Sequence, residues 1–138
     1  MYFFNCFVKV TNKIHSKQII FTFFLKFLII TDMGFVYLLC QVETETFKVG
    51  VTKNNIDSRI KQLSTGSSHE IILINKYESE HYKRIEGWLH RKYNHLRTDG
   101  GGQEWFNLTI NEVKNFKSDC EFAEKTIKSL LENNDFYN

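Results

Sequence analysis

Proline is absent from this 138-residue chain, which excludes a proline-rich linker and fits short, regular connections. Cysteine is scarce. Cys6, Cys40 and Cys120 are odd in number and far apart, so they form neither a disulfide framework nor a zinc cluster. A reduced, intracellular setting is the reading they support. Long apolar runs are missing as well. The longest, Ile19 to Ile30, is interrupted by Thr22 and Lys26 and falls short of the ~20 residues a membrane-spanning helix needs. Lysines precede that run, as in a signal peptide, but Ile29-Ile30-Thr31-Asp32 offers no small-residue cleavage site. A membrane partner is therefore not expected. There is also no large excess of either charge, the net being +2.

What the chain does have is apolar and aromatic substance. Hydrophobic residues make up 42% and aromatics 15%, enough for one domain with a buried core and too much for a disordered segment. Charge is uneven. Residues 1–32 carry Lys9, Lys13, Lys17 and Lys26 against Asp32 alone, so the remainder is slightly acidic. A dedicated nucleic-acid binder shows a clear basic excess, and by bulk charge this chain does not. Its cations are local instead. Lys83, Arg84, Arg91, Lys92 and Arg97 surround the carboxylate of Glu86.

The pattern from Gly34 onward is regular. Phe35–Cys40 and Phe47–Val51 are apolar segments joined by a polar stretch, which reads as a hairpin. Asn54 or Asn55 caps a helix with Ile56, Ile60 and Leu63 at helical spacing. Residues 70–77 form a continuous apolar run, expected to be a strand in the sheet's centre. A second helix is expected over residues 79–96, with Tyr82, Ile85, Leu89, Tyr93 and Leu96 on one face. Thr109 and Glu112 match a capping box that opens a last helix. The order β-β-α-β-α-α predicts an α/β (α+β) fold, a small three-stranded antiparallel sheet flanked by helices. Residues 1–32 are expected to be a hydrophobic, basic extension, 33–110 the functional domain, and 111–138 a helix packing on it.

The ordered set Gly34-Phe35-Val36-Tyr37, Lys48-Val49-Gly50, Arg59, Glu86 and Glu104-Trp105-Phe106 resembles the GIY-YIG endonuclease superfamily, in its phage T5-type branch. The resemblance covers roughly residues 34–108. It implies a metal-dependent endonuclease that hydrolyses phosphodiester bonds in DNA. On the matching positions, Tyr37 would orient or deprotonate the attacking water and Arg59 would bind the scissile phosphate through its fork of donors. Glu86 would hold Mg²⁺ or Mn²⁺, a hard cation that often binds through one or two carboxylates. Lys48 stands where the second motif usually has a tyrosine. A phenol acts as a base only beside a cation, and Lys48 on the paired strand could supply one.

Each of these residues also has a bland reading. Glu86 could be a solvated helix glutamate, Arg59 an exposed arginine near Asp57, and Tyr37 a strand aromatic. His90 lies four residues after Glu86 and could contact phosphate. Arg59, Lys83, Arg84, His90 and Arg91 are the expected nucleic-acid contacts. Glu104-Trp105-Phe106 is expected to pack over the sheet. The alternative function is a non-catalytic module binding nucleic acid or protein through the helix around Lys83–Arg97. The replacement of a tyrosine by Lys48 favours it. RNA is not excluded as substrate, and a separate protein could supply specificity.

Overall fold

The computed structural model describes residues 15–100, 102 and 104–133. Cys6, Lys9 and Lys13 lie outside the described residues. The chain divides into two compact units, residues 1–32 and 33–138. The described residues of the first include a helix, α1 (His15–Thr31), whose Ile20, Phe21, Phe23 and Phe24 are exposed. No helix among the described residues is long and apolar enough to cross a membrane.

The second unit is an α+β fold. Its elements are β1 (Gly34–Gln41), β2 (Thr46–Thr52), α2 (Ile56–Thr65), β3 (Ile71–Ser79), α3 (Tyr82–Lys92), a 3₁₀ turn (Asn94–Leu96), β4 (Trp105–Phe106) and α4 (Ile110–Glu132). All strand pairs are antiparallel, in the order β3-β1-β2-β4. The sheet therefore has four strands rather than the three expected. The fourth is too short to leave a periodic signal and exists only because Phe47 and Lys48 pair with Phe106 and Trp105.

The run at residues 71–77 is a strand, but an edge strand and not the central one. Ile72, Leu73 and Ile74 are more than a third exposed, and β1 takes the centre. A continuous apolar run signals burial on both faces, and β1 and β3 carry it equally. Register separates them, with Ile74 the extra residue of a bulge opposite Leu38 and Leu39.

Side-chain alternation distributes the core across the sheet. Val36, Leu38 and Val49 face α3 and α4, where they meet Ile85, Leu89, Phe106, Phe116 and Ala123. Tyr37 and Leu39 face the other way, toward Ile56 and the partly buried Ile60 and Leu63 of α2. Helix α2 starts where the Asn55 side chain accepts the Asp57 N–H at 2.7 Å, and α4 starts with a complete capping box between Thr109 and Glu112. Helix α3 is shorter than expected. Strand β3 runs on to Ser79, and the last turn tightens to 3₁₀ after Tyr93.

Two buried polar links tie α4 in place. Asp119 accepts from the Tyr93 hydroxyl at 2.8 Å and from Lys92 at 2.5 Å. Glu124 accepts from Tyr77 at 2.7 Å and from Ser79 at 2.5 Å. Burial disfavours the Glu124 anion, but these two hydroxyls together with Lys128, 3.5 Å away, outweigh it and hold its pKa below the usual value.

Candidate active site

Tyr37 stands on the central strand opposite Gly50 and is almost wholly buried. Its ring crosses from β1 onto β2, so that a Cβ at position 50 would lie 2.5 Å from the phenol oxygen. Only glycine leaves that path open. At the end of the path, Arg59 of α2 directs its Nε–H to the Tyr37 oxygen at 3.4 Å, and its Nη1 donates to Gln62 at 3.3 Å. The hydrogen bond to Tyr37 is the largest reason that the guanidinium pKa is pushed still higher.

Lys48 lies two residues before Gly50 on the same face and is 7% exposed. A buried ammonium needs a counter-charge, and it has one in an ion pair with Glu104. Its Nζ also sits 5.6 Å from the centroid of the Trp105 ring.

Glu86 enters from α3. Its side chain is 22% exposed, so it does not project into bulk solvent. Burial raises its pKa foremost. The field of His90 works against that, that of Glu104 adds to it, and that of Lys48 opposes it. His90 places Nε2 2.9 Å from the Val49 carbonyl oxygen and 4.0 Å from Glu86 Oε1. Its ring meets Phe106 edge-on at 5.3 Å. Val49 and Gly50 are consecutive, so the carbonyl that His90 contacts and the glycine beneath the Tyr37 hydroxyl share one stretch of β2.

The residue that sequence reasoning missed is Glu104. Expected only to pack, it is half-exposed and ion-paired to Lys48, and its field reaches both Arg59 and Glu86. The Trp105–Lys48 register that brings it there is a long-range pairing across a loop. No local signal marks it.

The structure thus pairs Tyr37 with Arg59 and Lys48 with Glu104, and the field of Glu104 reaches Arg59 and Glu86. The remaining expected contacts are elsewhere. Lys83, Arg84 and Arg91 are exposed and line a groove of about 330 Å³ with Ile127, Leu130 and Leu131. His90 is turned inward to the Val49 carbonyl.

Among the described residues no group of three or more His, Cys, Asp or Glu side chains could hold a metal. Glu86 could offer a hard cation one carboxylate. It is partly desolvated, and among the described residues its ion-pair contact is a histidine at 4.0 Å. Such a site leaves the remaining coordination to water and substrate oxygens.

No curated protein and no solved structure matches the chain. A family profile does match, that of the T5orf172 domain, over residues 34–121. That span takes in the whole sheet, Tyr37, Lys48, Arg59, Glu86 and Glu104, and more than half of the chain, which therefore belongs to the T5orf172 domain family.

Proposed function

We propose that this protein is a metal-dependent endonuclease hydrolysing phosphodiester bonds in DNA. T5orf172 domains are related to GIY-YIG-like nucleases. The observation that carries the reading is the hydroxyl–guanidinium contact of Tyr37 and Arg59, made in one electrostatic neighbourhood with the half-buried carboxylate of Glu86.

Arg59 binds a non-bridging phosphate oxygen through its guanidinium and compensates charge that grows there in the transition state. Its Nε–H on the Tyr37 oxygen fixes the direction of that oxygen, which orients the attacking water or takes its proton. Gly50 holds the path of the phenol open. Lys48 adds positive field from the same face, and a phosphate arriving nearby competes with Glu104 for its ammonium. Glu86 would hold Mg²⁺ or Mn²⁺, and the ion would supply positive charge to offset that on the phosphoryl oxygens. His90 positions this carboxylate's surroundings by fixing α3 to β2 through the Val49 carbonyl.

A second reading is a non-catalytic module that binds nucleic acid or a protein through Lys83, Arg84 and Arg91. The ion pair that ties Lys48 to Glu104 favours it, because Lys48 stands where a catalytic tyrosine is usual. Conversion of supercoiled plasmid to open circles by the purified chain separates the two. The nuclease reading expects nicking with Mg²⁺ or Mn²⁺, none in EDTA, and strong loss in Arg59→Lys and Tyr37→Phe. DNA binding without nicking in any divalent cation selects the second.

A further inference from the structure

Beside Lys48 the α2 face of the sheet opens into a groove of about 590 Å³, within the range of small-ligand sites. Three segments line it. The β1–β2 hairpin contributes Thr46, the α2–β3 loop Ser67 and His69, and the segment before β4 contributes Thr98, while Trp105 and Lys48 line it as well. Hydroxyls, one half-buried indole and one ammonium are a set suited to a nucleoside bearing a phosphate. An aromatic ring stacks on the indole, hydroxyls meet the polar base edge, and the phosphate faces the cation.

Lys48 belongs both to this groove and to the cluster of Arg59, Glu86 and Glu104, so the groove continues the site rather than standing apart from it. A carboxylate also lines the groove, that of Asp99, and repels a phosphate at that position. The polarity is therefore fixed, with phosphate toward Lys48 and base beyond it.

From this we infer that the groove is a subsite for an unpaired nucleotide next to the scissile phosphate. The protein would then act on DNA that is splayed or single-stranded at one side of the cut. A base inside a duplex is already stacked and paired and has no free face to lay on Trp105. This deepens the nuclease reading and rests on it for the identity of the neighbouring phosphate.

The test is binding of the full chain, in EDTA so that nothing is cut, to two labelled DNAs of equal length, a blunt duplex and a fork with unpaired arms. The chain has two tryptophans, so Trp88→Phe leaves Trp105 as the reporter. The fork should bind about tenfold tighter or more, the scale of one base stacked on an aromatic ring, and should quench Trp105 emission saturably. Gly66→Phe fills the groove from its rim. Its backbone is ordinary at φ −96°, and nothing lies within 4 Å of a Cβ there, so the fold accepts it. It should abolish both preference and quench, and Ser68→Phe, from the same loop, should do likewise. Equal affinity for fork and duplex overturns the subsite, as does a fork preference that survives both fillings. Nicking without fork preference removes the subsite alone. Fork preference without nicking removes the nuclease reading alone.

Discussion

The oxygen of Tyr37 occupies the space that a side chain at Gly50 would need, with 2.5 Å between the phenol oxygen and the missing Cβ. The hydroxyl reaches Arg59 only because position 50 is glycine. Gly50→Ala should therefore push the ring away and break its contact with Arg59. The expected result is loss of about 1–3 kcal/mol in stability from overpacking and a fall in nicking of about 10²-fold. Thermal unfolding followed beside plasmid nicking checks both. Unchanged nicking would show that the Tyr37–Arg59 contact is dispensable.

Glu86 should cost the fold stability. Burial raises its carboxyl pKa in the native state, so the native state holds its proton more firmly than the unfolded chain does. Stability then falls as pH rises from the ordinary carboxyl range, near 4.5, through the higher native pKa. Glu86→Gln should unfold a few degrees higher than the wild type at pH 7, and the gap should close below about pH 4. Melting curves at both pH values measure this. A lower melting temperature for Glu86→Gln at pH 7 would mean that the carboxylate is structurally paired.

Glu104→Gln should separate binding from stability. Lys48 would stay buried without its counter-charge, which lowers stability by about 1–2 kcal/mol, less than for a fully buried pair because Glu104 is half-exposed. Duplex binding should tighten several-fold at low salt, since a carboxylate facing the phosphate is gone. Fluorescence anisotropy and chemical unfolding on the same preparation check the opposed signs. Weaker binding would place Glu104 among the groups that assist the substrate.

A chain beginning at Met33 should fold cooperatively with an unchanged melting temperature. Among the described residues, both core clusters of the sheet are built from residues beyond Met33. Loss of cooperative unfolding on this truncation would show that residues 1–32 complete the core.

Much of this was legible because it is local. The hairpin, the caps at Asn55 and Thr109 and the stripe Tyr82-Ile85-Leu89-Tyr93 each write their geometry into neighbouring residues. What was hidden depends on register. β3 and β1 carry the same apolar signal, and only pairing decides which is the edge. β4 is two residues long, and Glu104 reaches Lys48 only through it. For the same reason, Tyr37, Arg59 and Glu86 could be named from motifs, whereas the part played by Gly50 in aiming Tyr37 needed the cross-strand pair.

The central claim is that Glu86 holds the cation for cleavage, and single-turnover nicking by wild type and Glu86→Gln across an Mg²⁺ and Mn²⁺ titration tests it most directly. Gln keeps size and helix propensity while removing the charge a hard cation needs. Losing that cation forfeits several kcal/mol of transition-state stabilisation, so the variant should be folded, bind DNA in EDTA as well as the wild type, and cleave at least ~10³-fold more slowly. Equal metal-dependent nicking by the two proteins would contradict the account.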